Sequence, residues 1–189
     1  LIRQVSLRAD YDFLTHVYSR SGLYEALKRE ETHRHPRFLT VMLLDIDYFK
    51  SINDNYGHEC GDRVLASFAR QVQQVVGEDG MVARMGGEEF AVVVNSGDEQ
   101  HGYALAERIR STVASHPFTW RQQTLYLTVS IGLGSGKAES WQLTEVFNKL
   151  MAEADDHLYR SKKAGRNRTS ARLADEQLAA SAGSETELR

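Results

Sequence analysis

Apolar positions along this chain follow two rhythms, one of strands and one of helices. Phe38-Leu39-Thr40-Val41-Met42-Leu43-Leu44 is a nearly unbroken apolar run that stops at Asp45. A run of that kind is expected of a strand buried on both faces. Helical spacing appears from Ser21 to Thr32, behind a serine cap candidate, and from Glu59 to Val76, where Val64, Leu65, Phe68, Val72 and Val75 share one face. It returns from Glu99 to Ala114 and from Leu143 to Ala164. Met81-Val82-Ala83 and Phe90-Ala91-Val92-Val93-Val94 flank a Gly-Gly pair and predict a β-hairpin, its tight turn using the positive φ that glycine tolerates. Phe118-Thr119-Trp120 and Thr124 to Leu133 read as two further strands around polar Arg121-Gln122-Gln123.

The order helix, strand, helix, hairpin, helix, strands, helix gives an α/β fold of the α+β sandwich type. Its central sheet should be mixed and mostly antiparallel, flanked by helices, near the ferredoxin-like plan. Residues 11–170 form the expected domain. Residues 1–10 read as the end of an upstream linker or helix, and the Ala-, Ser- and Glu-rich stretch 171–189 as a flexible tail. The chain starts at Leu1 rather than Met, which points to a piece of a longer protein carrying a sensor or membrane region upstream.

Bulk composition narrows the function classes. At 189 residues there is room for one ordinary core. A formal net charge of -3 supplies no basic field for nucleic acid. The single Cys60 excludes an internal disulfide and a multi-cysteine metal site, and suits a reducing compartment. No apolar stretch approaches the ~20 residues of a bilayer span, and neither a dinucleotide-type glycine fingerprint nor a Walker-type run is present. The expected location is cytoplasmic, whether or not the longer protein is membrane-anchored.

Three polar clusters carry the chemistry. Met85-Gly86-Gly87-Glu88-Glu89-Phe90 places two carboxylates beside a turn without side chains, where a bulky ligand can approach the backbone. Asp45-Ile46-Asp47-Tyr48-Phe49-Lys50-Ser51-Ile52-Asn53-Asp54 begins where the buried strand ends, the place where ligands gather in open sheets. Asp45 and Glu88 across the hairpin, with a backbone carbonyl, would be oxygen ligands of the kind Mg²⁺ prefers, with substrate phosphates completing the shell. Asn53, Asp54, His58 and Asp62 follow on a loop and helix, and a carboxylate beside an amide can read guanine. Arg160, Lys162, Lys163, Arg166 and Arg168 surround Gly165 at the end of the last helix. There a phosphate-binding role competes with simple helix capping and dipole compensation. Taken singly, Asn53-Asp54 is also good turn chemistry and the acidic pairs suit a solvated surface.

Taken together, these clusters resemble the GGDEF family of diguanylate cyclases over about Asp12 to Arg168. Asp12-Phe13-Leu14-Thr15-His16-Val17-Tyr18-Ser19-Arg20 is similar to the family's opening motif, departing from it at His16 and Ser19. Asp45 through Lys50, Gly57-His58 and Gly61-Asp62 match the central block, and Gly86-Gly87-Glu88-Glu89-Phe90 is the Glu form of the signature. Thr128-Val129-Ser130-Ile131-Gly132, Ala154-Asp155, Tyr159, Lys162 and Gly165-Arg166-Asn167-Arg168 match the closing blocks.

The resemblance implies a palm-type nucleotidyl cyclase fold and a signalling transferase. Two GTP molecules would be condensed into cyclic di-GMP, a bacterial second messenger, with release of pyrophosphate. Asp45, Ile46 and Glu88 resemble metal ligands for two Mg²⁺ ions, which Mn²⁺ can replace. Glu89 is similar to the second signature acid, a metal ligand or general base, and the division between Glu88 and Glu89 stays open. Lys50 resembles the lysine that stabilises the transition state, Asn53 and Asp62 the guanine readers, and His58 a neighbour of the nucleoside. Tyr48 and Phe49 main-chain amides, with Lys162 and Arg166, would hold the phosphates beside Gly86. One GTP per chain makes a homodimer the expected catalytic unit.

Many members carry Arg-x-x-Asp ending six residues before the first signature glycine, as a product-binding inhibitory site. Here those end positions are Gly77 and Gly80, so no inhibition through that site is expected. A degenerate domain that binds GTP or cyclic di-GMP and regulates a partner is the alternative, and a palm-like cyclase with another product a third reading. Intact Asp45, Lys50, Glu88 and Glu89 favour the active enzyme.

Overall fold

The computed structural model describes residues 10–32 and 37–173. β1 (Tyr18–Ser19) leads into α1 (Arg20–Glu30), whose first turn is capped by the Ser19 hydroxyl accepting from the Gly22 amide at 3.1 Å. The long strand β2 (Arg37–Ile46) is followed by α2 (Phe49–Tyr56) and α3 (His58–Val76). Next come the hairpin β3 (Gly80–Arg84) and β4 (Glu89–Asn95), α4 (Glu99–Ser115), and the short ribbon β5 (Phe118–Trp120) and β6 (Gln123–Leu125). β7 (Val129–Ala138), α5 (Leu143–Lys163) and β8 (Thr169–Ser170) complete the described fold.

The main sheet runs β1-β3-β4-β2-β7-β8, and β5-β6 forms a second, two-stranded sheet. β1–β3 and β7–β8 are parallel pairs, whereas β3–β4, β4–β2 and β2–β7 are antiparallel. The fold is thus the expected α+β sandwich with a mixed, mostly antiparallel sheet. β2 lies at the centre, which is why its sequence is apolar on both faces. Met42, Leu44 and Ile46 pack with Phe68, Phe90 and Ile109 under α3 and α4. Leu39, Val41 and Leu43 pack with Leu23, Leu27, Phe147 and Leu150 under α1 and α5.

Close approach of α5 to the sheet depends on two bare positions in β7. A Cβ on Gly132 would lie 2.1 Å from the Ala154 carbonyl oxygen, and one on Gly134 2.1 Å from the Leu150 carbonyl oxygen. Backbone of the helix therefore rests directly on backbone of the strand. The buried His157 reinforces this contact through Nδ1, 2.7 Å from the Leu133 carbonyl oxygen.

Three sequence expectations are corrected. Asn53-Asp54 is not a turn: Phe49 and Ile52 bury one face of a short helix, which ends at Gly57 with φ of 88°. The strand expected over Thr124 to Leu133 is broken between Leu125 and Val129, with Tyr126 exposed, and β7 then continues to Ala138. The break separates two sheets: β6 pairs with β5 across a turn at Arg121 and Gln122, both at positive φ, whereas β7 pairs with β2 in the main sheet. Finally, neither Gly86 nor Gly87 is among the positive-φ glycines, and a Cβ on either would meet nothing within 4 Å. The pair supplies bare surface, not left-handed backbone. Of the expected flexible tail, Ala171 is buried and the Leu173 amide donates to the Glu99 carboxylate at 3.2 Å, while residues 174–189 lie outside the described residues. Residues 1–9 lie outside them too.

Candidate active site

The site forms where β2 leaves the sheet. Asp45 pairs with Glu89 across β2 and β4, so both side chains share the sheet face covered by α1 and α5. This corrects the expectation that Glu88 would face Asp45. Glu88 instead lies in the loop before β4, and its carbonyl accepts from the Ile46 amide at 3.5 Å. From α5, Lys162 Nζ donates to Asp45 Oδ2 at 2.7 Å. The side chains are 33% and 14% exposed, so this pair is shielded far more than a surface ion pair.

Glu89 is half-buried, and its proton affinity is raised. Burial contributes most, followed by the negative charges of Asp45 and Asp155, while Lys162 and Arg20 pull the other way. Its carbonyl accepts from the Met85 amide at 2.8 Å and the Gly86 amide at 3.4 Å. Arg84 Nε donates to the Gly87 carbonyl at 3.0 Å, while its Nη1 reaches Asp12 at 3.3 Å. The bare loop is therefore tied down at its base although its surface is open.

A cavity of about 530 Å³ opens beside these acids. Of the candidate residues, Asp45, Ile46, Tyr48, Phe49, Lys50, Glu88, Lys162 and Arg166 line it, together with Asp54. Glu89 stands next to Glu88 outside that lining, and so does Gly86. Asn53 and Asp62 are set back on α2 and α3. Gly61, lacking a Cβ, lets the Asn53 side chain pack against α3 one residue before Asp62. His58 is exposed at the start of α3.

Sequence reasoning quoted Asp47 but gave it no task. The structure buries it to 4% exposure. It accepts from the Ser130 hydroxyl at 2.6 Å, the Thr128 hydroxyl at 2.7 Å and the Asn167 amide at 2.9 Å. The Asp-x-Asp spacing carried no signal for this, since positions i and i+2 of a strand share a face; Asp47 turns away from Asp45 because the strand ends at Ile46. Tyr48 takes a left-handed conformation (φ 57°), and the Arg166 guanidinium carbon lies 4.9 Å from its ring centroid.

Asp45, Asp54 and Glu88 bring carboxylate oxygens to the cavity lining. Among the described residues, no three His, Cys, Asp or Glu side chains form a ready metal cage. Asp45 and Glu88 with the Ile46 carbonyl nevertheless fit a hard divalent ion that keeps places for water and phosphate, as Mg²⁺ does. No described helix is long and apolar enough to cross a membrane.

Comparison with known proteins places this geometry. Residues 9–168 match the family model described as diguanylate cyclase, GGDEF domain. The chain is 68% identical over 170 residues to the probable diguanylate cyclase DgcF of Escherichia coli strain K12, covering 90% of this chain and 54% of that protein. It is 36% identical over 159 residues to the diguanylate cyclase DgcP of Pseudomonas aeruginosa, covering 83% of this chain and 23% of that protein. The chain thus spans about half or less of the length of these relatives. Among solved structures, the coiled coil and GGDEF domain of DgcB from Caulobacter crescentus, in complex with c-di-GMP, superposes with a TM-score of 0.76 at 30% identity, covering 90% of this chain and 89% of that one. A match running through nearly all the described residues, centred on the hairpin opposite Asp45, means that this chain belongs to the GGDEF-domain family of diguanylate cyclases.

Proposed function

We propose that this domain condenses two GTP molecules into cyclic di-GMP and releases pyrophosphate, as a homodimer with one GTP per subunit. The observation that carries this reading is the cavity of about 530 Å³ lined by Asp45 and Glu88 together with Lys50, Lys162 and Arg166. Acids and cations facing one space suit a triphosphate, whose transfer chemistry needs alignment and charge neutralisation more than covalent help.

In this reading Lys162 and Arg166 hold the β and γ phosphates with the Tyr48 and Phe49 amides, and Lys50 stabilises the charge that grows on the α-phosphate during displacement. Asp45, Glu88 and the Ile46 carbonyl hold Mg²⁺, two ions in the full site, which supply charge neutralisation and a more acidic 3′-hydroxyl. Glu89, whose proton affinity is raised chiefly by burial, accepts the proton of that hydroxyl. Asn53 and Asp62 read the guanine edge from α2 and α3, with His58 beside the nucleoside. One such site holds one GTP, so each 3′-hydroxyl must meet the α-phosphate held by a second chain.

Product inhibition through the loop before β3 is not expected. Gly80 has no room for a side chain there, since its Cβ would lie 2.4 Å from a Val76 methyl and 2.6 Å from a Val94 methyl.

The test is incubation of the chain with Mg²⁺ and GTP, products separated by mass, alongside Glu88→Gln and Glu89→Gln. Cyclic di-GMP that disappears in the variants, with a rate per chain that falls on dilution, supports the proposal. GTP binding without pyrophosphate release would replace it with a regulatory, non-catalytic domain.

A further inference from the structure

The loop that carries Arg166 to the cavity is gripped from two sides. Arg166 (φ 66°) and Asn167 (φ 43°) both adopt left-handed backbone, which residues with side chains hold only when their surroundings require it. The Arg166 amide donates to the Ser161 carbonyl at 3.0 Å, closing the turn after α5. Asn167 makes the two outside contacts. Its main-chain amide donates to Asp47 Oδ2 at 2.9 Å, and its Oδ1 accepts from Arg110 Nη1 at 3.1 Å. Arg110 is itself aimed by Glu107, to which its Nη2 donates at 2.8 Å and its Nε at 3.1 Å.

We infer that Asp47, Asn167 and Arg110 form a clamp that positions Arg166 over Tyr48 and so sets the affinity of the cavity for the substrate's phosphates. This rests on the proposed function, in which Arg166 meets those phosphates. Asp47 is suited to the task because it precedes Tyr48 in the chain, so one buried carboxylate fixes both the ring and the loop that stacks on it. The Ser130 and Thr128 hydroxyls also donate to it, so it cannot turn away from Asn167 without abandoning two short hydrogen bonds. Arg110 lies on α4, and its part is to hold the Asn167 side chain while Asp47 holds its main chain. None of the three lines the cavity. They are positioning residues that act through Arg166.

Pyrophosphate release by the whole chain, measured over a range of GTP concentrations with Mg²⁺, separates KM from kcat. Arg110→Ala and Asn167→Gly remove the side-chain link, and the glycine retains the backbone conformation. Each is expected to raise KM about fivefold, the scale of one lost hydrogen bond, with kcat changed less than about twofold. In an Arg166→Ala background the same changes should add nothing, because residues acting through one group are not additive. Asp47→Asn retains an acceptor for the Asn167 amide and can donate to the Ser130 hydroxyl, so it should recover most of the affinity lost in Asp47→Ala. An unchanged KM in Arg110→Ala and Asn167→Gly, or an equal rise with Arg166 already removed, overturns the clamp. Should the unaltered chain neither release pyrophosphate nor bind a fluorescent GTP analogue, the proposed function fails instead, and the clamp's role with it.

Discussion

Asp45 and Glu89 stand directly opposite each other across β2 and β4, two carboxylates on one face of the sheet, with Lys162 bonded to the first. Like charges in such a pair destabilise a sheet. The arrangement therefore sets stability against function at one place.

Glu89→Gln should abolish cyclisation while stabilising the fold. Folded Glu89 keeps its proton to higher pH than the unfolded group, whose ordinary value is 4.5. Its contribution is thus favourable at low pH and declines as pH rises from that value through the raised folded one. Thermal melts of the two proteins between about pH 5 and pH 8 should diverge, the variant becoming the more stable by on the order of 1 kcal/mol at the alkaline end. A variant that melts lower at every pH would contradict this.

Lys162→Met removes the cation that balances Asp45. The expected cost is about 1–2 kcal/mol in urea denaturation, since a shielded carboxylate is left without its donor. Glu89 should hold its proton more tightly still, because one of the charges opposing its protonation has gone. GTP binding followed by calorimetry should weaken as well.

Gly132→Ala drives a methyl group into α5 backbone, 2.1 Å from the Ala154 oxygen and the Leu158 nitrogen. A loss of about 1–3 kcal/mol is expected, the usual range for overpacking. Activity should fall with stability, because Lys162 rides on the displaced helix. Gly136→Ala is the control: its Cβ would meet only the Leu150 side chain at 3.4 Å, and chemical denaturation should place it close to the parent.

Arg84→Ala cuts the link between the turn at Asp12 and the carbonyl of Gly87. Burial alone would raise the Asp12 carboxyl. The Thr15 hydroxyl and amide, with Arg84, outweigh it and hold the group below its ordinary 3.8. That stabilisation exists above the unfolded value and is lost as pH falls through the folded one. The penalty of Arg84→Ala, about 1–2 kcal/mol near neutrality, should therefore shrink in acid. Denaturant midpoints for both proteins at the two ends of that range will show whether it does.

Much of the fold was legible because it rests on local pattern. The apolar run from Phe38 to Leu44 could satisfy itself only as a central strand, and the stripes on α3 and α5 required a sheet to cover. α2 was missed because a helix of 8 residues opening on a left-handed Tyr48 has weak signals, and Asn-Asp invites a turn. The hairpin was recognised, and of the two tasks expected of its glycines only the bare surface holds, since sequence does not distinguish a positive φ from a need for open surface.

The sequence by itself determined the layered sandwich, the family to which the chain belongs and the kinds of residue gathered at the end of β2. Tertiary structure alone decided that Glu89, not Glu88, stands opposite Asp45. Register fixes which side chains share a face, and one residue of slip would exchange the two acids. It also decided that Asp47 is a buried fastener and that Arg110 reaches Asn167 across 57 positions of chain. Such contacts depend on how separate elements come to rest against one another, and no local spacing in the sequence records that.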